Sequence, residues 1–186
     1  MIELAARDRD GLHEWIVADR CPVLLDGGLS TQLGVTDISG PLWTARALLE
    51  APDRVRQAHH EFLQAGAELL ITGSYQVSRQ GFVGAGYRAS DADEALRRSV
   101  VVARQAVAEF DASASKAGTQ RRTPLVAASV GPYGAILHDG SEYVGNYGIS
   151  EGQLREFHRE RLDVLAETDA DLIAVETIPD LCEVEV

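Results

Sequence analysis

The chain has 186 residues, with 17 basic and 29 acidic side chains and a formal net charge of -12. That balance opposes nucleic acid and anionic membrane surfaces as partners, because both draw on a Lys/Arg surplus. No apolar run approaches the roughly 20 residues of a membrane span, no leader-like segment follows Met1, and Cys21 and Cys182 make neither a disulfide framework nor a metal motif. The expectation is a soluble, cytoplasmic protein of one domain spanning residues 1–186, with a small molecule or another protein as partner.

In chain order, a stretch with Leu12, Trp15 and Ile16 reads as an extra helix closing one end of the domain. Val23-Leu24-Leu25 is then the first of four short apolar runs; the others are Leu69-Leu70-Ile71, Leu125-Val126-Ala127-Ala128 and Leu172-Ile173-Ala174-Val175. Each is continuous rather than alternating, as in parallel strands buried on both faces. Between them lie helices. Pro52 occupies a first helical position, Val55, Ala58, Phe62 and Ala65 follow at helical spacing, and Gly66 can end the helix. Ser90 can cap a second, with Ala92, Leu96, Val100, Ala103 and Val107 inward. Ser113 to Thr123 reads as a solvated loop. Ser150 with Gln153 fits a capping box ahead of Leu154, Phe157, Arg161 and Leu165, with Arg161 at the edge of that stripe. Asp180 can cap a last helix and Glu183 completes its capping pattern.

The repeated strand–helix order implies an α/β fold with a parallel sheet and right-handed crossovers. Strand starts lie about 45 to 55 residues apart, more than the roughly 30 a bare unit needs, so each unit carries an insertion. The insertions at 73–90 and 129–149 follow strands, on the side where such folds build sites. The last helix is short and the fourth run has no later neighbour, so the expectation is a truncated chain or half of a fold.

The residues that end the four runs are Asp26, Thr72, Ser129 and Glu176. In a barrel these would converge on one opening. Thr72 and Ser129, taken singly, are equally turn formers or caps. Two carboxylates directly after apolar runs are different, because burial makes an unpaired carboxylate costly. A substrate ammonium would partner both. Gly27-Gly28 is either a tight turn or a close approach to a ligand. Trp43 either walls a pocket or packs on the sheet end, and Tyr75 and Gln76 share the rim with Thr72. There is no phosphate-binding loop, and Gly81–Gly86 has the wrong glycine order for a dinucleotide site. His59-His60 reads as a solvated or edge pair, with His138 and His158 isolated in the same way; the cysteines read as packing residues.

These residues resemble the homocysteine S-methyltransferase family. The matching stretches are Leu25–Leu33, Leu42–Arg46, Gly66–Gln76, Ala127–Gly134, Asp139–Tyr143 and Glu176–Pro179. The chain looks closest to the branch that uses S-methylmethionine or S-adenosylmethionine, and like its N-terminal portion only. The resemblance implies a (β/α)8 TIM-barrel type fold, here about the first four βα units. It implies methyl transfer from a sulfonium to the homocysteine thiol, giving methionine, with a zinc ion binding the sulfur in the full-length enzyme. Asp26 and Glu176 match positions that hold the homocysteine amino group. Trp43, Thr72, Tyr75 and Gln76 match positions lining the amino-acid and donor pockets, and Ser129 matches a strand-end segment in contact with substrate. The family's zinc ligands are three cysteines in regions absent here, so no metal ligand and no catalytic residue is assigned, and the chain alone is expected to be inactive. Two alternatives stand beside this reading. One is a non-catalytic half-barrel that self-associates or binds a partner chain. The other is a metal-free enzyme using Asp26 and Glu176 for acid–base work.

Overall fold

The computed structural model describes residues 22–34, 42–118 and 122–186. Strands β1 (Leu69–Ile71), β2 (Leu125–Val130) and β3 (Leu172–Val175) form one sheet in the order β1-β2-β3, with both pairings parallel. Leu25 adds a parallel bridge to Leu69 on the other side of β1, and Asp26 N–H donates to the Leu69 carbonyl at 3.1 Å. The four apolar runs therefore stand side by side in chain order. The first is a single bridge rather than the expected strand, and Leu24 and Leu25 are 54% and 53% exposed. It has a neighbour on one side only. Val175, on β3 at the opposite edge, is exposed too, while Leu70, Val126, Ala127 and Ala128 between the edges are fully buried. Burial on both faces thus holds inside the sheet and fails at its edges.

The helices follow from local rules, with corrections. The Pro52–Gln64 helix has Pro at its first position and ends before Gly66, whose φ of +108° a side chain would resist. Its buried face is Val55, Ala58, His59 and Leu63, while Ala65 is exposed. The next helix, Ala89–Lys116, is capped from Arg88 rather than Ser90, because the Asp91 carboxylate accepts the Arg88 N–H at 2.9 Å. Ala92, Leu96, Val100, Ala103 and Val107 are all buried on it. It runs to Lys116, so the expected 113–123 loop begins as helix; Ala and Lys sustain an exposed helical turn without packing. Ser150 and Gln153 form the capping box of Glu151–Ala166. Trp43–Glu50 and, inside the 73–90 insertion, Arg79–Gly84 are two further helices. The long helix packs on both Pro52–Gln64 and Glu151–Ala166, which lines the crossovers up on one side of the sheet. Leu12, Trp15, Ile16 and Cys21 lie outside the described residues. No described helix is long and apolar enough to cross a membrane.

Arg161 departs most from expectation. It is 1% exposed, not at an edge. Its Nη1 donates to the Gly131 carbonyl at 2.8 Å, and its Nη2 donates to the Tyr75 carbonyl at 2.6 Å. The guanidinium lies 5.0 Å from the centre of the Phe157 ring. Burial lowers its pKa to about 10, with Glu183 and Tyr75 opposing that shift, so it stays cationic. One side chain thus ties the segment after β1 to the segment after β2. We predict that Arg161→Leu destabilises the fold by about 2–4 kcal/mol, because it leaves two buried carbonyls unpaired. Arg161→Lys should recover only part of that, since an ammonium cannot span both acceptors as a planar fork does. Urea titration of the three proteins checks this; a Leu variant as stable as the parent would refute it.

Candidate functional site

Asp26, Thr72, Ser129 and Glu176 end the four runs and line one cavity of about 600 Å³ at the carboxyl ends of the strands, together with Trp43, Tyr75 and Gln76. Continuous strands in parallel order put their last residues at one level, and the rim comes from the insertions that follow. Glu142 and Tyr143 complete the wall from the 129–149 insertion. Among the described lining residues there are three carboxylates and no basic side chain.

The polar groups divide by what already satisfies them. Thr72 and Ser74 hydroxyls meet at 2.7 Å, the Ser74 hydroxyl donates to the Ser129 carbonyl at 2.7 Å, and the Ser129 N–H donates to Thr72 Oγ1 at 3.1 Å. Thr72 is therefore 2% exposed and spent on joining β1 to β2. The Ser129 hydroxyl donates to Glu176 Oε1 and so aims that carboxylate. Gln76 donates to the Ala135 carbonyl at 3.3 Å. Tyr75 is pushed up to about 12 by burial and by Glu142, and stays a neutral phenol. Its ring occupies the place a Cβ at Gly131 would fill, so glycine there admits the tyrosine. Trp43 and Thr177 hold φ of +41° and +58°, a conformation that costs side-chain-bearing residues about 1–3 kcal/mol and gathers at functional sites.

Asp26 is the electrostatic centre. Its Oδ2 accepts the Ile71 N–H at 3.0 Å. Burial raises its pKa to about 7, the Ile71 hydrogen bond opposes this, and the negative charge of Glu176 adds to it. Desolvation and a like charge together disfavour the anion, and a cation in the cavity or a further hydrogen-bond donor would favour it.

Several residues escaped the sequence reading. His59 is fully buried, not solvated; its Nδ1 lies 3.9 Å from Asp26 Oδ2, and burial depresses it to about 4. His158 is buried as well and pairs with Glu183 Oε1 at 2.8 Å. Glu183 does not complete a helix cap; it points inward and accepts the Tyr133 N–H at 2.5 Å and the Tyr147 hydroxyl at 2.7 Å. Burial opposes its ionisation, yet these donors together lower its pKa. Asp180 does cap, accepting the Cys182 N–H at 3.0 Å. His138 is exposed beside Trp43. Local periodicity marks which residues can be buried on a helix face, but a polar partner supplied from a distant segment leaves no local signal. Glu142 alone had one, its place in a glycine-rich insertion after a strand.

Among the described residues, no group of three or more His, Cys, Asp or Glu side chains could hold a metal ion. These residues do not fit the zinc that the resemblance implies.

A family profile described as homocysteine S-methyltransferase matches residues 23–186. Homocysteine S-methyltransferase 2 of Zea mays is 42% identical, over 100% of this chain and 56% of the maize protein. Homocysteine S-methyltransferase YbgG of Bacillus subtilis is 44% identical, over 87% of this chain and 51% of its own length. The crystal structure of the homocysteine methyltransferase MmuM from Escherichia coli, in its metallated form, superposes with a TM-score of 0.81 at 39% identity, covering 92% of this chain and 59% of that one. The chain spans about half the length of the curated relatives it matches.

The raised Asp26 pKa carries a stability consequence. Its folded value of about 7 lies above the ordinary 3.8. Below the ordinary value the carboxyl is protonated in both states and costs nothing; as pH rises through the folded value, its ionisation favours the unfolded chain. Asp26→Asn keeps an acceptor for Ile71 N–H and removes the charge. The variant should melt higher than the parent at pH 8, with the gap closing as pH falls toward 4. Thermal melts across that range check it; a variant that melts lower at pH 8 would contradict it.

Proposed function

The chain belongs to the homocysteine S-methyltransferase family, and from that premise we propose that it supplies the amino-acid-binding half of a (β/α)8 barrel that methylates homocysteine. Asp26 and Glu176, side by side in an acid-lined cavity without a basic residue among its described lining, carry this reading. The ammonium of homocysteine sits between them, and each carboxylate makes a charge-assisted contact to it. Ser129 holds Glu176 on line, and Ile71 N–H holds Asp26. Trp43 and Tyr75 wall the space above, where aromatic faces suit a sulfonium such as S-methylmethionine or S-adenosylmethionine.

The reaction needs little from these residues beyond alignment. The thiol loses its proton to water, its sulfur attacks the methyl carbon, and the sulfonium–methyl bond breaks, its electron pair staying on the donor sulfur to leave a neutral thioether beside the methionine formed. A sulfonium is already activated, so holding the two sulfurs in line with the methyl between them lowers the barrier. The zinc that the family resemblance implies would hold the thiol sulfur; no group of three or more described His, Cys, Asp or Glu side chains could ligate it.

The exposed Leu24, Leu25, Val175, Leu181 and Val184 support a sheet completed by further chain. Self-association through the same surfaces is the alternative for the 186 residues alone, and light scattering distinguishes a monomer from an oligomer.

In calorimetric titrations with L-homocysteine, Asp26→Asn and Glu176→Gln should each weaken binding about ten- to a hundredfold, the worth of a charged hydrogen bond of about 1.5–3 kcal/mol. The analogue without an amino group should bind no better to the parent than to either variant. Equal affinity of parent and both variants for homocysteine would remove the amine-clamp role.

A further inference from the structure

His59 has a place in the site that its helix does not require. It sits on the Pro52–Gln64 helix beneath the cavity, with 0% exposure. Neither ring nitrogen has a hydrogen-bond partner. An unpartnered buried imidazole is costly, and a leucine would fill the same helical position without that cost. Among the described residues, Asp26 lies beside it; that side chain is 2% exposed and its Oδ2 is 3.9 Å from His59 Nδ1. That gap is about 1 Å longer than an N–H···O hydrogen bond. Its helix neighbours look elsewhere: His60 meets the Phe110 ring edge-on, and Glu61 accepts from Gln57.

A protonated Asp26 carboxyl needs few donors, and Ile71 N–H already serves Oδ2. An ionised one seeks more, and the other titratable groups on its cavity, Glu176, Glu142, Tyr75 and Tyr143, are acids or phenols. A neutral imidazole with its proton on Nδ1 can donate from below without adding a charge. We propose that His59 is a positioning residue of the amine clamp: its Nδ1–H closes on Asp26 Oδ2 when that carboxylate ionises against the substrate ammonium. The step moves no proton between the two residues. It rests on the homocysteine-binding reading for the identity of the cation, but not for the His59–Asp26 contact itself.

The test separates the two. Asp26 is titrated by carbon-13 NMR in protein labelled at the aspartate carboxyl carbons, with the signal assigned by its loss in Asp26→Asn. Parent, His59→Asn and His59→Leu are compared without ligand. Asn places an N–H close to the Nδ1 position, whereas Leu fills the space without one. The midpoint of Asp26 should rise by about one pH unit in His59→Leu and return most of the way in His59→Asn. A shift equal in both variants means mere packing and overturns the proposal, as does no shift in either. If the variants do not fold, nitrogen-15 spectra of the parent decide: above the Asp26 midpoint His59 should carry its proton on Nδ1, and a proton on Nε2 there overturns the contact. In the same proteins, L-homocysteine affinity at pH 8 should fall about tenfold in His59→Leu and less than threefold in His59→Asn. A parent that binds no homocysteine sinks the amine-clamp reading and with it the substrate half of this proposal. The titration midpoints still decide whether His59 serves Asp26.

Discussion

A buried guanidinium organises the site end of this protein. Arg161 projects from the Glu151–Ala166 helix into the space between the segments that leave β1 and β2, and it binds a carbonyl from each. Burying a cation is expensive, and carbonyl dipoles alone repay that cost poorly. The balance comes from Glu183, the carboxylate whose field opposes the loss of charge on Arg161 and which is itself held by His158, Tyr147 and the Tyr133 N–H. These partners come from the turn after β2, from the Glu151–Ala166 helix and from the last helix. The cavity wall is thus fixed by a polar network behind it. Tyr75 and the glycine that admits it, Gly131, both sit on carbonyls that Arg161 holds.

On the cavity side the logic reverses. Behind the wall the field of Glu183 offsets part of the cost of burying Arg161; in front, Asp26 faces Glu176 with no cation among the described lining residues. The buried Asp26 carboxylate, ionised in that state, destabilises the free protein, and strained backbone at Trp43 and Thr177 adds to the load. A ligand that relieves such a load binds tightly for its size, because its binding recovers free energy the folded chain had given up. The polar residues at the strand ends therefore fall into two roles. Thr72 and Ser129 are consumed in holding β1, β2 and Glu176 in register, while Asp26 and Glu176 keep unspent acceptor capacity.

The sequence made the strand order and most helices legible because those depend on local pattern. Continuous apolar runs predict parallel strands, and Ser150 with Gln153 predicts a helix start, since each uses residues within one turn or one strand. Asp26, Thr72, Ser129 and Glu176 could be grouped because strand ends share a level by geometry. Errors arose where a distant partner decided the outcome. Arg161 sat in an apolar stripe and read as an edge residue; only carbonyls from two other segments make its burial tolerable. His59 read as half of a solvated or edge pair, yet helical phase buries it fully and leaves its neighbour His60 half-buried. Glu183 fitted a capping pattern that Asp180 satisfied alone.

The two faces of the wall depend on each other through charge. If the acids of the cavity were neutralised by permanent basic neighbours, the free protein would be more stable and the site would hold no place for a cation. If Glu183 lost its donors, its carboxylate would drift up in pKa, Arg161 would lose its counter-charge, and the carbonyls that set Tyr75 would loosen. A polar network behind the cavity thus makes frustration in front of it sustainable: the carbonyls tied to Arg161 and the donors gathered on Glu183 hold the wall that keeps two carboxylates near each other. His59 lies at the boundary between these regimes, buried like the network but unpartnered like the site. A neutral donor is the residue type that boundary can hold. A lysine or arginine there would pair with Asp26 permanently and erase the vacancy, and an apolar residue would leave the ionised carboxylate one donor short.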